Sequence, residues 1–331
     1  MSTLSIGKIR GLQQISSDRG IFIMCAMDHR SGLISMMEDV RHDMPDYHEL
    51  VQTKIDMCAT LGSYCTGVLL DPEYGAAQCI ASSALRGSTG LLVSIEASGY
   101  EKDPRGRLTL LLKDWGVEKI KRMGASAVKM LVYYRPDIKE LASKQLKTIE
   151  KVANKCIKYD IPFLVEPKTY RREDENIDSA EFAYRLPELV IETARQITEL
   201  PIDVLKCEFP VDMRYEKNEA KMAEYCRELD IVSKVPWVLL SAGVDYDMFK
   251  KQVFIACHAG ASGFLGGRAI WQEGLNISER DKRIQFFKDT AAKRLQELSN
   301  IAGRSARPWY EKLGLPASTL IMTGPDWYHN Y

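Results

Sequence analysis

The chain has 331 residues, longer than most single domains but of the size that one (β/α)8 barrel needs. Its 45 Lys and Arg balance its 45 Asp and Glu, so no long-range field draws it to nucleic acid or an anionic membrane, and an anionic ligand must be held by local groups. No apolar run approaches the roughly 20 residues that cross a bilayer, and the N-terminal stretch lacks the apolar centre of a signal peptide. The eight cysteines are scattered with no CxxC pair, which fits reduced thiols in a cytoplasmic protein rather than a disulfide framework or a zinc site.

Taken in chain order, the first residues read as a short amphipathic helix. Eight short runs rich in β-branched and apolar residues follow, at 21–29, 66–72, 90–96, 126–134, 161–167, 203–209, 237–243 and 260–267. Longer amphipathic, charged stretches separate most of them, with room for a helix and its loops; the gap between the second and third allows only a brief one. Near-continuous apolar strands alternating with helices indicate a parallel sheet covered on both faces. The count of eight, and polar or charged residues at the C-terminal ends of most runs, favour an α/β fold of one (β/α)8 barrel over an open doubly wound sheet. No GxGxxG turn follows the first run, so a dinucleotide-binding half is not supported. The expected organisation is one domain over 1–331, with strands between about 21 and 267 and a helical extension over about 276–331. Within it, 278–303 reads as one long charged helix, followed by coil. Its aromatic residues Trp309, Tyr310 and Trp327 pack either internally or against a second copy, which leaves a homo-oligomer open.

Strand side chains alternate, so residues two apart share a face. Lys206 shares one with Val204 and Glu208, and Lys129 with Leu131 and Tyr133. A lone charge in a covered strand is expensive to bury, which marks at least one of these lysines as functional. Asp28, Glu96 and Glu166 end their runs as carboxylates, each able on its own to serve merely as a structural partner of a Lys or Arg. Together they converge at one barrel mouth as a proton-transfer site. A lysine becomes nucleophilic when desolvation or a nearby cation makes it shed its proton, and Lys129 is read as that cation. An imine with a ketone then acts as electron sink, while Asp28 and Glu166 serve as base and acid. This chemistry uses no metal and no cofactor. The segments SAGV (241–244) and GFLGGRA (263–269), at the seventh and eighth runs, lie where barrels commonly hold phosphate: their glycines let backbone N–H groups approach an anion and Arg268 adds a charged fork. His29 points either to the site or out of the ring, because adjacent strand residues face opposite ways. His258 reads as packing or surface, Tyr133 and Tyr134 as core or rim, and 170–175 as a solvated loop or a distal phosphate contact.

Eight segments in this order resemble the tagatose-1,6-bisphosphate aldolases of the LacD type, a class I aldolase family on a (β/α)8 barrel. They are AMDHRSGLISMM, LLDPEYG, EASGYE, GASAVKMLVYY, IPFLVEPKTY, DVLKCEFPV, LSAGV and GFLGGRAIW, spread over about residues 10–310. The resemblance implies that Lys206 is the Schiff-base lysine, that Asp28, Lys129 and Glu166 line the site, and that Ser241, Gly243, Leu265, Gly267 and Arg268 hold the phosphate next to the ketone. The implied substrate is a small sugar phosphate, tagatose 1,6-bisphosphate, split to dihydroxyacetone phosphate and glyceraldehyde 3-phosphate. His29 departs from the glutamine usual in that family. The segments PWVLLSAGV to GASGFLGGRAIW are also similar to sulfofructose-phosphate aldolases, which implies sulfofructose 1-phosphate and sulfolactaldehyde as the alternative. From another class, a sugar-phosphate sensor would keep the fold without the turnover.

Overall fold

The computed structural model describes residues 4–41, 43–172, 175–176, 179–315 and 325–331. Eight parallel strands close into a ring: Phe22–Ala26, Gly67–Leu70, Gly90–Ser94, Ala127–Tyr133, Phe163–Lys168, Val204–Cys207, Trp237–Leu240 and Gly263–Gly266. Each falls on one of the eight apolar runs, so the (β/α)8 expectation is met. The fifth strand runs one residue beyond its expected limit, to Lys168. The ring closes where Phe22 stands opposite Gly263. Gly263 has φ +132°, and a Cβ there would strike the Phe22 carbonyl, so only glycine permits the seam.

Helices cover the outside, among them Tyr47–Leu61, Lys139–Lys158, Ala180–Ile197, Glu219–Val232 and Tyr246–His258. Their starts are written locally. Asp46 and Glu49 form a reciprocal capping box, and the side chains of Ser179, Asn218 and Asp245 accept from the first turns of their helices. The helix between the second and third strands, Ala76–Ala81, is as brief as its gap requires.

Alternation divides the strand residues between two cores. Ile23, Cys25, Val68, Val128, Val165 and Leu205 pack outward against the helices. Met24, Leu69, Leu92, Ala127, Leu164, Val204, Val238 and Leu265 fill the ring itself, capped below by Ile9 and Leu12 of the helix Ile6–Gln14, by Ile15 just after it and by Trp309. Beneath this plug Lys8 pairs with Asp203 at 2.7 Å, and Asp203 also accepts the Phe163 N–H at 2.8 Å.

Two features were not anticipated. An antiparallel hairpin, Glu101–Asp103 with Gly106–Leu108, follows the third strand. The long tail helix is interrupted by one π-helical turn, Phe287–Ala291, between Arg280–Phe286 and Ala292–Ser305. Of the tail aromatics, Trp309 is buried in the plug while Trp327 is exposed; residues 316–324 lie outside the described residues. All eight cysteines are free thiols, and burial pushes the Cys65 thiol up to about 12. Among the described residues no helix is long and apolar enough to cross a membrane.

Candidate active site

Two residues beyond Ala26, Ala127, Leu164 and Val204, the inward positions change from hydrocarbon to charge: Asp28, Lys129, Glu166 and Lys206. Glu96, four beyond Leu92, joins them. All five line a cavity of about 560 Å³ at the C-terminal mouth of the ring.

Lys129 is 1 % exposed and has a carboxylate for each of its three N–H bonds. Its Nζ lies 2.7 Å from Asp28 Oδ2, 2.7 Å from Glu96 Oε1 and 2.9 Å from Glu166 Oε2. Burial opposes its charge, but Asp28, Glu166 and Glu96 outweigh burial and hold the ammonium well above its ordinary range. The same balance acts in reverse on the acids. Burial pushes Asp28 and Glu166 up, and Lys129 with Lys206 outweighs it, so both stay below the usual carboxylate range. Lys206, 4 % exposed, reaches the same Glu166 oxygen at 2.9 Å. One carboxylate oxygen therefore joins the two ammonium groups. Lys129, expected as the cation beside Lys206, is enclosed by negative charge and coupled to Lys206 through Glu166.

The first-strand turn is held from behind. Lys54 is buried and donates to the carbonyls of Met27 and His29 at 2.7 Å each, and to Asp71. It thus fixes the backbone on both sides of Asp28. Trp271 Nε1–H donates to the Ala26 carbonyl at 3.0 Å. His29 turns toward the cavity, its ring edge-on to Trp271 with centroids 5.2 Å apart, and its Nδ1 3.8 Å from Asp28 Oδ1. Burial pushes it down to about 3, so the ring is neutral near pH 7. A Cβ on Gly267 would come 3.1 Å from His29 Cε1, so the ring stands beside the glycine turn of the eighth strand.

That turn and the one after the seventh strand form one wall of the cavity. Ala242 and Gly243 take positive φ, +48° and +80°, and a Cβ on Gly243 would come within 3.0 Å of Arg268 Cζ. Gly243 thus lies under the guanidinium rather than lining the cavity, whereas Ser241, Leu265, Gly267 and Arg268 do line it. Gly267 precedes the helix Arg268–Leu275, and its N–H donates to Ser241 Oγ at 3.3 Å. Hydroxyl, helix N-terminus and guanidinium suit a phosphate at this wall.

Of the lesser sequence candidates, Tyr133 lines the cavity, Tyr134 is buried, and His258 is exposed at a helix end beside Phe254. In the 170–175 segment, Tyr170 packs on Tyr133 and Glu175 pairs with Arg135; residues 173 and 174 lie outside the described residues. Sequence reasoning missed Lys54, Lys168 and Arg214. The sign of Lys54 was available: with Leu50, Thr53, Met57, Cys58 and Leu61 it falls on the buried stripe of its helix.

Residues 22–273 match the sequence profile of a family described as DeoC/LacD family aldolase. The tagatose 1,6-diphosphate aldolase of Staphylococcus aureus (strain bovine RF122 / ET3-1) is 33 % identical over 325 residues, covering 92 % of this chain and 98 % of that one. Among solved structures, a Schiff base forming fructose-1,6-bisphosphate aldolase superposes with TM-score 0.57 at 22 % identity, covering 88 % of this chain and 98 % of its own. The fructose-bisphosphate aldolase of Plasmodium falciparum gives TM-score 0.69 at 13 % identity, covering 90 % and 94 %. These last two are likenesses of fold.

Proposed function

The chain belongs to the DeoC/LacD family of aldolases, and from that membership we propose that it cleaves tagatose 1,6-bisphosphate through an imine on Lys206, without metal or cofactor. The observation that carries this reading is the position of Lys206: buried in the ring, one carboxylate oxygen away from Lys129, in the cavity that Arg268 also lines.

The steps follow from the groups present. The Lys206 amine attacks the C2 carbonyl carbon, and the carbonyl oxygen leaves as water, giving a protonated imine. Glu166 touches both ammonium groups and can carry the protons exchanged in that step. A carboxylate, Asp28, removes the C4 hydroxyl proton; the C3–C4 bond breaks, its electrons pass to the imine nitrogen, and glyceraldehyde 3-phosphate departs. Protonation of the enamine at C3 and hydrolysis release dihydroxyacetone phosphate. Lys129 holds Asp28, Glu96 and Glu166 in one arrangement. Ser241, Gly267 and Arg268 take the phosphate beside the ketone, and Gly243 supports the guanidinium.

Borohydride reduction in the presence of dihydroxyacetone phosphate tests the reading: a covalent adduct on Lys206 is expected, and binding with no adduct would favour a sensor without turnover. A chelator should leave the cleavage rate unchanged. Arg268→Ala should raise KM for phosphorylated substrates about ten- to a hundredfold with a smaller effect on kcat; an unchanged KM removes Arg268 from the phosphate site. The similarity of PWVLLSAGV to GASGFLGGRAIW to sulfofructose-phosphate aldolases supports sulfofructose 1-phosphate as the second reading, with sulfolactaldehyde as product. Cleavage rates for both substrates decide between them.

A further inference from the structure

Six cations line the cavity: Arg30, Lys129, Lys168, Lys206, Arg214 and Arg268. Four are occupied. Arg30 pairs with Glu73 at 2.8 Å, Lys129 with its three carboxylates, Lys206 with Glu166 at 2.9 Å, and Arg214 with Asp212 at 2.8 Å. Among the described residues, Lys168 and Arg268 have no carboxylate within ion-pair distance. Two cations of the cavity thus have no ion-pair partner among the described residues.

Their placement gives a bound ligand a direction. Lys168 is the third inward residue of the fifth strand, after Leu164 and Glu166, and its carbonyl is fixed by the Tyr134 N–H at 3.1 Å. Arg268 follows the eighth strand. In the ring the sixth and seventh strands separate the two, and the sixth carries Lys206. A sugar bound with its carbonyl at Lys206 and its near phosphate at Arg268 sends its other end toward the fifth strand. Glu208, the carboxylate near Lys168, is not set up to neutralise it. Burial pushes Glu208 above its ordinary range, and its Oε2 already accepts the Thr169 N–H at 2.9 Å.

We propose that Lys168 is the specificity-determining residue for a second, distal tetrahedral oxyanion, so that the site selects ketoses charged at both ends. This rests on the functional reading above, because Lys206 and Arg268 set the substrate's orientation. A lysine suits this role because its ammonium is a compact charge that meets phosphate or sulfonate without demanding a bidentate partner.

The test is titration calorimetry with ligands that have no carbonyl for Lys206 to attack: a hexitol 1,6-bisphosphate, the matching hexitol 1-phosphate, and its 6-sulfonate 1-phosphate counterpart. Wild type is expected to bind a doubly charged hexitol about ten- to a hundredfold more tightly than the 1-phosphate. Lys168→Met should remove that advantage and leave the 1-phosphate affinity unchanged, and Lys168→Arg should restore part of it. Lys168 is exposed, so these variants are expected to fold. An advantage that survives in Lys168→Met, an equal loss for all ligands, or no advantage in wild type overturns the proposal. A stronger Lys168-dependent preference for the sulfonate supports it and moves the substrate to the sulfofructose reading. Failure of the borohydride adduct on Lys206 would sink the imine mechanism while leaving this affinity comparison intact.

Discussion

The two ends of the barrel handle buried charge in opposite ways. At the base, one lysine meets one acid: Lys8 and Asp203 lie under a plug of Ile9, Leu12, Ile15 and Trp309, with the Phe163 N–H completing the set. At the mouth, two lysines share three carboxylates, and Glu166 Oε2 serves both ammonium groups. The base is a closed pair whose partners satisfy each other. The mouth is a chain of exchangeable partners opening onto a cavity, and a proton leaving one group has another within hydrogen-bond reach. The same strand supplies both ends: Asp203 and Lys206 are three residues apart on either side of the hydrocarbon layer that holds Val204.

Substitutions can break this contrast. The largest effect is expected for Lys206→Ala, which removes the proposed nucleophile and should lower kcat by at least about a thousandfold with little change in stability. Lys206→Arg should fail equally, since guanidinium stays protonated. Near-normal turnover in either variant would remove Lys206 from the mechanism. Lys129→Met should act on both properties. It leaves three carboxylates facing one another, costing about 3–5 kcal/mol in chemical denaturation, and it disorders the acids enough to slow cleavage about a hundredfold. Lys8→Met should affect stability alone. Burial already holds Asp203 above its ordinary range, and losing its cation should cost about 3 kcal/mol while kcat and KM stay unchanged. A changed kcat would mean that the base and mouth are coupled.

The last effect is a slope with pH. His29 is pushed from 6.5 down to about 3 in the folded chain, by burial foremost, so the unfolded chain binds this proton more readily. Its contribution to stability is full above pH 6.5 and is lost as the pH falls toward about 3. His29→Gln should therefore lose less stability than wild type across that interval, measured by denaturant melts at stepped pH. Parallel curves would place His29 in a more solvated setting.

The barrel was legible because a strand buried on both faces has to be apolar throughout, and eight such runs stand out against charged helices. The charged mouth was legible for the same reason: Lys129 and Lys206 interrupt runs such as SAVKMLVYY and DVLKCEF, where any charge is conspicuous. Asp28 and Glu166 were expected at the barrel mouth because they end their runs, and the cavity there is lined by both together with Lys206. What stayed hidden depends on contacts between distant segments. Lys54 looks like one lysine among many on a surface helix until its stripe is drawn, and its partner Asp71 lies beyond the second strand. The hairpin around Pro104 is too short and too polar to register as strand; its only local sign is the DPRG turn. The glycine-rich segment SAGV pointed to a phosphate loop, but that Gly243 takes a positive φ and lies against the Arg268 guanidinium shows only in the folded chain.

The seam between Phe22 and Gly263 sets the timing of folding. The first strand leaves the ribosome early, and its eighth-strand neighbour is made only when the barrel is nearly complete. Until then the growing sheet has an unpaired edge at each side, and open edges recruit strands from other chains. Nascent chains stalled before residue 263 should therefore be the aggregation-prone species, and a side chain at that glycine would prolong the hazard by obstructing the last pairing.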